Sequence, residues 1–181
     1  MNSTPPLVGA VASGRIQAAL VLPASLVSCA PAFVGRAPGP ELTTSVAVGV
    51  LLFAISFGAM LKARPKSWYR TRLQAMTAPP LNATVVPPDE TFDLFSRALT
   101  KPLALGLAIG LALAFTTGAP VGAAFAAFAC FLLLRAHWLA GQERELGGRV
   151  VTPHAPVRVQ PDDPHRAVYL EVPFYLAPAA A

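Results

Sequence analysis

Three long stretches of this chain carry no charged residue, and their polar boundaries mark where the predicted elements start and stop. Apolar residues fill the intervals between Arg15 and Arg36, between Glu41 and Lys62, and between Lys101 and Arg135. The second interval is the simplest. Leu42 to Leu61 is a 20-residue run without charge or proline, rich in Val, Leu, Ile and Phe, and a helix of that length matches the hydrocarbon thickness of a bilayer. The third, Pro102 to Leu134, is too long for one straight crossing: at ~1.5 Å per residue it would reach roughly 50 Å against a hydrocarbon core of about 30 Å. Thr116, Thr117, Gly118, Ala119 and Pro120 interrupt it at the middle. The glycine supplies a helix C-cap and the proline a helix start, so the run predicts a tight helical hairpin with its turn at 116–120. The half-spans Pro102–Phe115 and Val121–Leu134 have 14 residues each. They reach about 20 once Arg97, Lys101, Arg135, His137 and Trp138 extend them into the interface.

The first interval, about 16–35, contains Pro23, Pro31, Ser25, Ser28 and Cys29 and leaves three readings open. It is a further span, paired with Leu42–Leu61 through the turn Arg36–Glu41. Or it is a signal-like segment, because Leu26-Val27-Ser28-Cys29 resembles a bacterial lipobox with Cys29 as the lipidation candidate. Or it is a non-spanning external tail. A buried structural thiol is the plain alternative for Cys29.

Composition supports a polytopic membrane protein rather than a soluble domain: 54% of the 181 residues are hydrophobic, 13% are charged, and mean hydropathy is +0.54. The net charge of +5 then reads as topology, not nucleic-acid binding, since no RNA- or DNA-binding motif accompanies it. Lys62, Arg64, Lys66, Arg70 and Arg72 surround the pair Trp68-Tyr69. This group is a topogenic flank with interfacial aromatics, or in a sharper reading a binding segment for anionic lipid headgroups. The central turn at 116–120 carries no Lys or Arg, so the positive-inside rule puts it outside and puts the 62–96 loop and both termini in the cytoplasm. Eleven arginines against three lysines, with abundant alanine and proline, point to a bacterial source and hence to the inner membrane.

Between the spans, residues 73–95 are punctuated by Pro79-Pro80 and Pro87-Pro88 and read as a linker. Thr91–Thr100 predicts a short amphipathic helix lying on the membrane surface. Within the apolar run, Gly106 and Gly110 form a small-xxx-small motif that Ala104, Ala108 and Ala112 would extend, with Gly122, Ala126 and Ala129 as a matching face across the turn. Phe125, Phe128 and Phe131 would face lipid or a partner. In lipid, such small residues let helix backbones approach closely, within one hairpin or between subunits.

The chemistry that sequence can signal is sparse. The three uncharged intervals hold no Asp, Glu or His, where ion-coupled transporters place such groups. Cys29 and Cys130 form no metal motif, and His137, His154 and His165 lack zinc spacing. The sequence therefore predicts a non-enzymatic protein without cofactor or metal, with membrane lipids and other membrane subunits as partners. A small transporter or membrane enzyme is the rival class. In the tail, Val157–Gln160 and Ala167–Val172 alternate around a turn at Pro161–Arg166, which predicts a β-hairpin, with a disordered proline-rich tail as the competing reading. Such a hairpin is marginal alone. It could dock on another protein's sheet edge, anchored by Phe174-Tyr175-Leu176.

The stretch Arg97-Ala98-Leu99-Thr100-Lys101-Pro102, followed by a short hairpin and basic residues, resembles the small hairpin subunit of bacterial type IV secretion and conjugation machines over about residues 92–140. The resemblance implies that Thr100, Lys101 and Pro102 set the hairpin at the cytoplasmic surface beside a secretion ATPase. The long N-terminal half and the late position of Asp163-Pro164 depart from that family's pattern.

Taken together, the expected fold is an all-α membrane protein with two transmembrane hairpins and four spans, plus a short tail that includes a β-hairpin in one reading. Its parts are 1–61, with spans about 16–35 and 42–61; a loop at 62–96; a second hairpin at 97–140; and a cytoplasmic tail at 141–181.

Overall fold

The computed structural model describes residues 5–35, 38–156 and 159–178. It is mostly helical, with four helices long and apolar enough to cross a membrane. The order is β1 (Leu7–Gly9), α1 (Ala10–Cys29), a short 3-10 helix (Ala30–Ala32), α2 (Pro40–Ala63), α3 (Lys66–Gln74), α4 (Pro88–Thr117), α5 (Gly122–Leu146), β2 (Gly148–Pro153), α6 (Arg166–Glu171) and β3 (Tyr175–Pro178). The chain divides into two compact units. One comprises 1–16, 64–98 and 134–181, the other 17–63 and 99–133.

In the second unit the long apolar run is two helices, as its central turn predicts. Helix α4 ends at Thr117, Gly118 adopts φ 71° in the left-handed region that glycine occupies without Cβ strain, and α5 begins two residues after Pro120. The amide of Gly118 donates to Ala114 O at 3.1 Å and so closes the last turn of α4. A Cβ built on Gly106 would lie 3.1 Å from the Phe125 ring, so the hairpin closes across its own turn.

The interval at 16–35 forms most of α1, which starts earlier than its first charged boundary, at Ala10, and runs through Arg15 and Pro23. It is the helix that the α4–α5 hairpin packs around in this unit. A Cβ on Gly110 would come within 2.8 Å of Ser28 Cβ, and one on Gly122 would meet the Ser25 carbonyl, Ser28 Oγ and Cys29 Sγ. Ser25 and Ser28 fit there because their hydroxyls donate back to helix carbonyls, Leu22 O at 2.7 Å and Ala24 O at 2.8 Å, leaving no unpaired polar atom in an apolar contact. Ala18, Val21, Ala129 and Leu132 complete the core, with Leu22, Leu103, Phe125 and Phe128 packed around them.

Two side-chain expectations are corrected. The packed small face of α4 is Gly106, half-buried, with the buried Gly110 and Ala114, spaced by four residues, whereas Ala104, Ala108 and Ala112 are exposed. The phenylalanines of α5 point inward: Phe131 is buried, and Phe125 and Phe128 pack on the core. A ring fills the gap that a facing glycine leaves, so the large residues belong beside the small ones. Helix α4 is also one element from Pro88 to Thr117, with no separate surface helix at 91–100. Pro88 opens it and Asp89 and Glu90 lie in its first turn, favourable positions for a rigid φ and for acidic charge.

The first unit contains the antiparallel sheet β1-β2-β3, with Leu7 opposite Pro153, Gly9 opposite Val151, and Val151 in turn opposite Tyr175. This corrects the all-α expectation and the predicted hairpin. Residues Arg166–Glu171 are a helix, not a strand, and the start of the other expected strand, Val157 and Arg158, lies outside the described residues. The same is true of Arg36 and Ala37 in the expected first turn. Both outer strands carry a further segment of the same chain. Leu7 donates to Thr84 O at 2.9 Å and accepts from Val86 N at 2.8 Å, while Leu176 N donates to Thr77 O at 3.0 Å. The proline-rich linker thus covers sheet edges that would otherwise present unpaired backbone groups.

The contact at Gly122 yields a stability test. Gly122→Val should lower the melting transition of the detergent-solubilised chain by about 2–3 kcal/mol equivalent, since the Ser25 backbone cannot yield. Gly58→Ala, where a Cβ meets nothing within 4 Å, should be neutral or stabilising by up to about 1 kcal/mol.

Candidate functional site

The basic segment folds as the end of α2 and the helix α3, and its residues separate into three groups. Lys62, Arg64, Lys66 and Arg70 are exposed. Trp68 and Arg72 are half-buried, and Tyr69 is 4% exposed at the centre of a core with Ala10, Val11, Ala136, Leu139, Val150 and Phe174. The aromatic pair is therefore built into protein as well as flanking an apolar span. Tyr69 meets Trp68 edge-on at 4.8 Å, lies nearly parallel to Phe174 at 6.4 Å and tilts against Trp138 at 6.0 Å. Such ring pairs add to the area that they bury.

Three guanidinium groups lie on these rings. Arg72 stacks over Trp68 at 3.5 Å, Arg64 approaches the same ring at 5.2 Å, and Arg135 lies over Tyr69 at 5.0 Å. Their hydrogen bonding differs. Arg72 donates from Nε and Nη2 to the carbonyl of Glu171, at 3.1 and 2.9 Å, and so caps the C-terminus of α6. The next residue, Val172, has φ 49°, an unfavourable left-handed conformation for a β-branched side chain. Its packing against the Tyr69 core helps to hold it there. Arg135 Nε and Tyr69 Oη are both buried and both lack a hydrogen-bond partner.

The other predicted residues are placed as follows. Gly106, Gly110 and Gly122 lie in close helix contacts, whereas Ala126 is half-buried beside the fully buried Ala127 and Ala129. Cys29 ends α1 with its thiol 3.8 Å from Pro120 O. Lys101 and Pro102 are exposed within α4. At the α4–α5 turn, Glu41, Thr44, Ser45, Thr116 and Thr117 line an open groove of about 510 Å³, where Ser45 Oγ donates to Gly118 O at 3.2 Å. Among the described residues, no group of three His, Cys, Asp or Glu side chains is arranged to hold a metal ion. Sequence reading missed Arg135 and Phe174 as partners of Tyr69. The available signal was that Arg135 follows an apolar stretch without an acidic neighbour, but the contact spans 66 positions.

Beside the sheet, His154 packs edge-on against Phe95 at 4.9 Å, and its Nδ1 is buried without a partner. Burial pushes its pKa below the ordinary 6.5. Comparison with family models, with curated proteins and with solved structures gave no match.

Two outcomes follow. Because the folded imidazole holds its proton less tightly than the unfolded one, this contribution to stability is complete above pH 6.5 and is lost as pH falls through the folded value. Acid should therefore destabilise the first unit, and His154→Gln should flatten that dependence. Fluorescence melting reports it, since Trp68 and Trp138, the two tryptophans of the chain, both lie in this unit. By the same readout, Arg72→Ala should cost about 1–2 kcal/mol, while Arg70→Ala should stay within about 0.5 kcal/mol.

Proposed function

We propose that this chain is a non-enzymatic integral membrane protein acting as a structural or assembly subunit of a membrane complex. One observation carries the reading. Of the four apolar helices, α2 and α4 have only 11% of their most apolar window buried inside the chain, against 39% for α1 and 33% for α5. Val46, Val50, Leu51 and Ile55 on α2, and Leu105, Ile109 and Leu113 on α4, are exposed. Surfaces of that size and apolarity need lipid or another membrane subunit against them. The absence of acidic residues and histidine from the uncharged intervals favours this role over ion-coupled transport.

The bacterial inner membrane, the cytoplasmic placement of the 62–96 loop and the external placement of the 116–120 turn belong to this proposal, through the positive-inside rule. The type IV secretion hairpin subunit is a specific form of it, resting on the resemblance at Arg97–Pro102. The lipoprotein alternative at Cys29 fits less well. Cleavage before Cys29 would remove β1 and nearly all of α1, and with them the Ser25–Gly122 contact and one edge of the sheet.

The test uses the full chain in native membranes. The chain should resist alkaline carbonate extraction and, after mild detergent, migrate in a fixed stoichiometry with at least one different membrane protein. Release by carbonate would refute the membrane reading, and migration as a lone monomer would refute the assembly role. Single cysteines at Ser67 and Thr117, in a background lacking Cys29 and Cys130, should label from opposite sides.

A further inference from the structure

We propose that Arg135, with Tyr69 and Arg64, binds the phosphate of an anionic membrane lipid. The stacked pair Arg135–Tyr69 lacks an acceptor. Arg135 Nε and Tyr69 Oη are buried donors without partners, and the guanidinium has no hydrogen-bond acceptor or carboxylate partner among the described residues. Each buried unsatisfied donor is costly. A protein that placed two of them on one stacked pair, 5.0 Å from guanidinium carbon to ring centroid, leaves the pair short of acceptors.

Nearby charge makes the deficit larger. Arg64 is close enough to Arg135 to repel it. Three carboxylates of this unit are engaged elsewhere: Glu143 accepts from Val150 N at 2.8 Å, Glu145 from Gln142 Nε2 at 3.0 Å and Asp163 from His165 N at 2.7 Å. Arg72 is satisfied by the Glu171 carbonyl and adds its charge without needing a counter-ion there. The missing species is thus an anion that only accepts hydrogen bonds and matches a planar guanidinium, properties that a phosphate oxygen pair shares with a carboxylate.

Chain position selects the source. Arg135 directly follows the apolar stretch Val121–Leu134, and Arg64 comes three residues after the run that ends at Leu61, so both fall where a spanning segment meets headgroups. Trp68 and Trp138, which pack around Tyr69, are the residue type that favours that depth. A lipid phosphodiester therefore fits better than free phosphate, an assignment that rests on the membrane reading above.

The experiment measures melting of the full chain in detergent while phosphatidylglycerol, phosphatidylcholine or inorganic phosphate is titrated, with native mass spectrometry counting retained lipid. Phosphatidylglycerol should raise the transition and persist as a one-lipid adduct, with phosphatidylcholine at least tenfold weaker. Arg135→Gln should weaken the response at least tenfold, Arg135→Lys less, and Arg70→Gln under twofold. Tyr69→Phe provides a control for folding, because it keeps the ring and removes the unpaired hydroxyl. Without lipid it should melt at or above the wild-type temperature, yet respond less to phosphatidylglycerol. Binding by Arg135→Gln within twofold of wild type, or equal responses to the two lipids, overturns the site. A rise with inorganic phosphate as large as that with phosphatidylglycerol overturns the lipid assignment. Carbonate extraction of Arg135→Gln should match wild type, so failure of the site and failure of the membrane reading are separable.

Discussion

The backbone contact of α1 with the α4–α5 hairpin, made possible at Gly110 and Gly122, is the constraint on which the apolar unit depends. In a lipid environment apolar area gives helices little reason to prefer each other over acyl chains, so association rests on close packing. Here the approach is so near that Ser25, Ser28 and Cys29 occupy the space where glycine lacks a side chain. The serines bring hydroxyls into that contact and satisfy them on their own helix. Gly49 repeats the device on α2, where a Cβ would lie 3.0 Å from Pro120. The turn residues that split the long apolar run thus also serve as packing surface for a third helix.

The other unit follows a different logic, because its core is assembled from segments far apart in sequence. A three-residue strand ahead of α1 pairs with a strand after α5, which pairs in turn with one near the C-terminus. None of these strands would be stable alone. Closure comes from the linker between α3 and α4, whose backbone reaches Leu7 at one edge and Leu176 at the other. The prolines at 79, 80 and 87 fit a segment with that role, since proline suits the outside of a sheet and removes donors that would otherwise recruit another strand.

What was legible in the sequence follows the range of the signal. Four apolar helices could be read because hydropathy is local, and the turn after Thr117 could be read because Gly118 and Pro120 act on adjacent residues. The sheet could not. Leu7, Val8 and Gly9 are too few to show alternation, and their partners lie more than 140 positions away. Ala167–Val172 shows strand-like alternation, yet Arg166–Glu171 forms a helix, whose end is held by Arg72 across 99 positions. The spacing of small residues on α4 was visible, but choosing Gly106, Gly110 and Ala114 over Ala104, Ala108 and Ala112 as the packed face required knowing where α1 and Phe125 lie.

The basic residues illustrate the same limit within one residue type. A count of positive charges treats Arg64, Arg70, Arg72 and Arg135 alike, and for topology that suffices. Their physical states differ. Arg70 is exposed, Arg72 is a structural donor closing a short helix over the Trp68 ring, and Arg135 is covered by aromatic surface without an acceptor. A guanidinium needed only as a topological signal has no reason to be partly buried, because desolvation weakens its hold on water and gives nothing back. Placing it against Tyr69 recovers part of that cost through the ring face and leaves the rest to be met by a species outside the chain. The energetic deficit at Arg135, more than the number of charges around it, distinguishes a binding position from a topological flank.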